Sequence, residues 1–196
     1  MTPSAQYVAA YDENTRRFQQ TEHFLTLLDE EAGTFTFQTF DDNKHRKDRN
    51  LCRVLHGSLE QNWQELCRLN TAGAGVFVTV NETDGSGRKA ENITRARAVF
   101  EEQDTPNKAP ADYPLEPSIE VESSPGRFHR YWPADGLTLD EYCGIQASIA
   151  DRYQGDPSAA DGFNRVMRLP GFYHQKNPAQ PHMVRITQET GGLPYP

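Results

Sequence analysis

The sequence predicts an α/β (α+β) fold with a mainly antiparallel sheet. Three observations lead there. Helical patterns and short apolar or aromatic-rich segments interleave along all 196 residues, as in domains that mix helices with a sheet. Two pairs of strand segments are joined by turn-forming residues and so read as hairpins. The chain is also long enough to bury one core, as a single domain or one domain with a small N-terminal annex.

In chain order, residues 4–31 read as helical, with Thr21 a candidate cap for a short helix over residues 22–28 and Gly33 as the breaker. Residues 34–40, rich in Thr and Phe, read as a strand, and the polar, basic residues 41–53 as a loop or the start of a helix. Ser58 with Gln61 has the spacing of a capping box. Leu59, Trp63, Leu66 and Cys67 mark the buried face of the helix behind it, ending near Asn70. Gly73-Ala74-Gly75 breaks into a strand over 76–80, and 81–88 is a long turn that includes Asn81. The next strand begins at Ala96 and stops at Pro106. After a Pro-rich excursion, strands 118–122 and 128–132 flank Ser123-Ser124-Pro125-Gly126, which is turn chemistry. Thr138 with Glu141 is a second capping box, and Leu139, Tyr142, Ile149 and Tyr153 form the core face of a helix ending at Gly155. A last strand is expected over 183–187.

Composition narrows the function classes. No apolar run approaches the length of a membrane span, and the first residues carry neither the basic nor the apolar part of a signal peptide. Three scattered cysteines make no metal motif, so a reducing, cytoplasmic setting is expected. A net charge of −8 argues against coating nucleic acid non-specifically, yet the basic residues cluster around 44–53, 88–97 and 165–176. Walker, dinucleotide-binding and nucleophile-elbow motifs are absent.

An ordered set of three groups remains. In Phe100-Glu101-Glu102-Gln103-Asp104, strand alternation puts Glu102 and Asp104 on one face and Glu101 on the other. Two carboxylates one strand step apart repel unless a cation lies between them, so the pair reads as a candidate Mg²⁺ or Mn²⁺ site. The bland alternative is a solvated strand end. Arg127 and His129 share a face of the returning strand behind Ser124. Asp156, with Asp161 as its near competitor, precedes Arg165, Arg168, His174 and Lys176. Carboxylates followed by many cations suit a polyphosphate substrate.

From about Phe35 to Lys176 the chain resembles the archaeo-eukaryotic primase superfamily, especially the RepB-like DNA primases and primase-polymerases of plasmids and phages. The resemblance rests on Glu102-x-Asp104, on Ser124 followed by His129, on Asp156, and on Arg168-Leu-Pro-Gly-x-x-His174-x-Lys176. The chain departs from the family at Glu102, usually Asp, and at Gln103, usually apolar.

The resemblance implies an RRM-like, mainly antiparallel sheet carrying the acids, packed against an N-terminal α/β unit. A single catalytic domain is then expected over 1–190, with the N-terminal unit over about 1–92, the metal-bearing sheet over about 93–190, and a tail or linker over 191–196. Template-directed nucleotidyl transfer is implied, with Glu102, Asp104 and Asp156 holding two ions. Ser124, Arg127, His129, Arg168, His174 and Lys176 would grip a nucleoside triphosphate, with His129 also counted as catalytic. Lys44, Arg46, Lys47, Arg88, Lys89 and Arg165 are candidates for a single-stranded DNA template. A helicase, separate or fused, is a further expected partner, and a membrane is not. The rival readings are a non-catalytic replication-initiation module of the same fold and a metal-dependent nuclease.

Overall fold

The computed structural model describes residues 5–106, 112–153, 162–191 and 194–196, with side chains from Tyr11 onward. Helix α1 (Ala5–Leu28) is one continuous element. Thr21, Phe24, Leu25 and Leu28 are its buried stripe, at the spacing of one helix face. Thr21 is therefore not a cap. Its hydroxyl, next to the carbonyls of Arg17 and Pro170, fastens the helix to a distant turn.

Strand β1 (Phe35–Asp41) is followed by a short 3₁₀ turn and by β2 (Arg53–Gly57). This second strand goes unannounced in the sequence, because its residues are exposed or half-buried and show no apolar alternation. Helix α2 (Leu59–Thr71) begins with the expected capping box between Ser58 and Gln61. It buries Leu59, Trp63, Leu66 and Leu69, and Gly73 (φ 101) turns the chain into β3 (Ala74–Thr79).

A small hairpin, β4 (Glu82–Thr83) with β5 (Ile93–Arg95), leads to β6 (Ala98–Gln103). The strands β7 (Ile119–Ser124) and β8 (Arg127–Pro133) form the predicted hairpin. At its tip, Pro125 is followed by Gly126 at φ 70, as a type II turn demands, since its third position needs a positive φ. Helix α3 (Leu139–Tyr153) starts at the predicted Thr138–Glu141 box. Then come β9 (Val166–Arg168), β10 (Tyr173–His174), β11 (His182–Met183) and β12 (Arg185–Glu189).

These strands make two four-stranded antiparallel sheets, in the orders β2-β1-β3-β9 and β12-β7-β8-β6. The mixed, mainly antiparallel class read from the sequence is the class observed. Strand β9 pairs with β3, so a segment from the far end of the chain completes the N-terminal sheet across the expected division near residue 92. One core of Phe24, Phe37, Val78, Phe100, Tyr131 and Met167 runs between the sheets. The outer edge of β6 is covered by Gln146 of α3, whose amide bonds to both the N–H and the carbonyl of Phe100. That protects an edge which would otherwise offer unpaired groups. Tyr195, in the stretch expected to be a tail, bridges to Ala134.

Candidate active site

The cleft between the two sheets, about 510 Å³, is lined by Glu102, Asp104, Ser124, Arg127, His129, Arg168, His174 and Lys176. Every described residue expected to hold metal or nucleotide therefore opens onto one space. Asp156 lies outside the described residues, as does Asp161.

Alternation along β6 does what the sequence promised. Phe100 and Glu102 face the core and cleft, whereas Glu101 and Gln103 turn to the other side. There Arg130, almost fully buried, donates to Glu101 at 3.0 Å, to Gln103 at 2.9 Å and to Glu120 at 2.8 Å. The departure at Gln103 thus has a local reason: its carbonyl accepts from a buried guanidinium that an apolar residue would leave short of a partner.

Glu102 sits directly opposite His129 on β8. Its carboxylate receives Arg165 at 2.5 Å. Asp104, one step beyond the strand, is exposed, and its carboxylate makes no hydrogen bond among the described residues. Its carbonyl accepts from Arg127 Nε at 2.6 Å, which joins the strand end to the β7–β8 turn.

The two histidines are neutral at ordinary pH. Burial pushes the His129 imidazole down to about 3, assisted by the nearby Arg168 charge. Burial and then Arg168 push His174 down to about 4. His174 Nδ1 lies 3.2 Å from the Ser123 carbonyl, so that nitrogen carries the proton. Its Nε2 and the Nδ1 of His129 are buried with no hydrogen-bond partner among the described residues. Polar atoms left so in a cleft mark a place where a polar ligand would complete the bonding.

Arg168 is held by Asp42, with Nη2 to Oδ1 at 2.8 Å and Nη1 to Oδ2 at 3.1 Å, and its guanidinium lies over Phe77 at 4.7 Å. Asp41, Asp42 and Phe77 line the cleft from the N-terminal sheet and were not expected. The available signal was a pair of adjacent acids at a strand end, just before a basic run. Of the template candidates, Lys44 alone lines the cleft. Arg46 pairs with Asp41 at 2.8 Å. Lys47 and Lys89 are exposed, and Arg88 is spent on Gln38 and the Asn164 carbonyl. Asn81 is a fully buried clamp between the Phe163 carbonyl and the Arg97 N–H.

A divalent ion would need several hard donors. Among the described residues no cluster of three His, Cys, Asp or Glu could hold one. Glu102 and Asp104 do supply hard carboxylate oxygens at the cleft, and Glu102 is paired with the Arg165 guanidinium. That chemistry suits Mg²⁺ or Mn²⁺, with further oxygens from outside the pair.

Residues 107–193 match the sequence model of the RepB DNA-primase N-terminal domain, a stretch that holds Ser124, Arg127, His129, Arg168, His174 and Lys176. No curated protein matches the chain. The primase-polymerase domain of cyanophage S-2L superposes with a TM-score of 0.72 at 20% identity, over 90% of this chain and 92% of that one. Primase RepB′ gives 0.66 at 19% identity, over 91% of this chain and 58% of that one. The catalytic domain of primase RepB′ in complex with initiator DNA gives 0.64 at 18%, over 91% and 88%. At such identities the likeness is one of fold. No described helix is long and apolar enough to cross a membrane. Residues 107–193 are thus similar in sequence to the RepB DNA-primase N-terminal domain, and nine-tenths of the chain shares its fold with the solved primase-polymerase and RepB′ domains.

Proposed function

We propose that the protein is a template-directed nucleotidyltransferase that joins nucleoside triphosphates on single-stranded DNA, as a primase or primase-polymerase in plasmid, phage or mobile-element replication. One observation carries the reading. Two carboxylates on one strand face share a single cleft with Arg127, Arg168, Lys176 and two histidines, each with a ring nitrogen that has no partner among the described residues. The relative solved with initiator DNA supports a nucleic-acid ligand.

In the reaction, the 3′-hydroxyl of a primer end or first nucleotide gives its proton to solvent water as its oxygen bonds to the α-phosphorus of the incoming triphosphate. The bond from that phosphorus to the bridging oxygen breaks, and pyrophosphate leaves with the charge. Glu102 and Asp104, with Asp156 as the third carboxylate, would hold two Mg²⁺ or Mn²⁺ ions. When bound, such ions supply Lewis acidity at the attacking and departing oxygens. Arg168 and Lys176 bind the phosphates, and Arg127 does so from the hairpin turn. His129, itself buried, fixes a phosphate oxygen. Lys44 meets the template backbone at the cleft rim, where affinity falls with salt. A helicase, as partner or fused domain, would open the duplex for such an enzyme.

A second reading has one observation behind it. Arg165 already neutralises Glu102 without a metal, as it would in a non-catalytic initiation module. One assay separates them. Single-stranded template, labelled nucleoside triphosphates and Mg²⁺ or Mn²⁺ are incubated with the wild type and with the Glu102→Ala/Asp104→Ala double variant. Metal-dependent product that the double variant lacks supports the enzyme. Template binding without synthesis supports the module, and shortened template would mean a nuclease.

A further inference from the structure

We propose that Asp42 is a positioning residue that presets the nucleotide grip, through both Arg168 and the segment from His174 to Lys176 that leaves β10. The inference rests on the nucleotide-binding reading above. Asp42 follows β1 on the N-terminal sheet, and its side chain is only 5% exposed. One carboxylate oxygen receives Arg168 Nη2 at 2.8 Å. The other receives Arg168 Nη1 at 3.1 Å and the backbone N–H of Gln175 at 2.7 Å. A single side chain therefore fixes the head group of one cation and the backbone between His174 and Lys176.

The geometry leaves Arg168 fit for a ligand. Asp42 occupies two of the five N–H donors of the guanidinium, and the other three make no hydrogen bond among the described residues. Phe77 stacks beneath the same plane at 4.7 Å. A planar donor held on one edge and one face is pre-organised, so less freedom is lost when a phosphate arrives.

The site is also built around a missing side chain. A Cβ on Gly75 of β3 would lie 2.5 Å from Asp42 Oδ1 and 2.7 Å from Arg168 Nη1. Glycine there lets the pair sit against the strand. It also supplies a probe that moves the pair without removing either charge.

Positioning and plain electrostatics predict opposite signs. If Asp42 were only a negative charge near the phosphates, Asp42→Asn would tighten anion binding. If it positions Arg168 and the 174–176 segment, Asp42→Asn and Gly75→Ala both weaken binding. A misplacement of this kind costs up to about a hundredfold in kcat/KM.

The experiment titrates a fluorescent ATP analogue, with and without Mn²⁺, into wild type, Asp42→Asn and Gly75→Ala. Thermal unfolding of each variant checks the fold. Both variants should bind the analogue roughly tenfold or more weakly, with KM raised more than kcat is lowered. Binding equal to or tighter than wild type in both variants overturns the role of Asp42. Wild type that binds no analogue overturns the nucleotide-binding reading itself. Should Asp42→Asn fail to fold, Gly75→Ala decides, because it keeps every hydrogen-bonding group.

Discussion

Arg165 and Glu102 form an ion pair at 2.5 Å, with their side chains 26% and 18% exposed. The guanidinium comes from the residue just before β9, and the carboxylate from the end of β6 in the other sheet. The pair therefore ties the two sheets together beside the cleft. It also places a cation beside Glu102, one strand step from Asp104.

Arg165→Gln should loosen the metal-free protein and increase its response to divalent ions. The two carboxylates would then repel without compensation. A partly exposed pair is worth about 1 kcal/mol, or a fall of roughly 2–4 °C in Tm for a chain of this size. The check is thermal unfolding in EDTA and in Mn²⁺. The variant should melt lower in EDTA and gain more from Mn²⁺ than wild type. Equal gains would show that Arg165 and the ion do not compete for Glu102.

The buried His174 imidazole sets a pH dependence of stability. Its value in the fold, about 4, lies below the ordinary 6.5. Between those values the unfolded chain binds more protons than the folded one, so acid favours unfolding. Full stability is expected above about pH 6.5, with loss as the pH falls toward 4. One such group contributes a slope of up to about 1.4 kcal/mol per pH unit. Urea unfolding at pH 7, 6 and 5 should show a shallower slope for His174→Gln. His129 adds a slope of the same sign, which remains in that variant.

Arg130→Met should be severely destabilising. It would leave Glu101, 3% exposed, without its cation, and would take a donor from Gln103 and Glu120. Breaking a buried pair from one side costs about 3–5 kcal/mol, a large part of the stability of a domain. Urea unfolding measures it, and a cost below about 1 kcal/mol would mean that the cluster relaxes or admits water. Replacing Arg130, Glu101 and Glu120 together by apolar residues should recover much of the loss.

This cluster shows what was legible in the sequence and what was not. Strand alternation alone separated Glu102 and Asp104 from Glu101, and put Arg127 with His129. The capping boxes at Ser58 and Thr138 and the hairpin around Gly126 were legible for the same reason, because each is local. The partners were not. Arg130 meets Glu101 from 29 positions away, and Arg168 meets Asp42 from 126. Pairings across such separations leave no periodic trace. Strand β9 was missed likewise, since three residues gain strand character only by lying against β3.

Gly171 tests how far the proposed nucleotide grip depends on docking to α1. Its φ of 89° is one that side-chain-bearing residues rarely adopt. An added Cβ would also meet the Thr21 hydroxyl, and would come within 2.5 Å of the Arg17 carbonyl. Arg17 Nε donates to the Gly171 carbonyl at 2.8 Å, so the turn is bound to the helix from both sides. Gly171→Ala should therefore cost roughly 1–3 kcal/mol and lower the Tm accordingly. Because Arg168 stands three residues upstream, nucleotide affinity should fall with it. Gly33→Ala is the control: its Cβ would meet nothing within 4 Å and its φ is not positive. That change should leave both Tm and affinity where they are. If Gly171→Ala lowers the Tm but leaves affinity unchanged, Arg168 is held by Asp42 and Phe77 alone, and the α1 contact serves stability only.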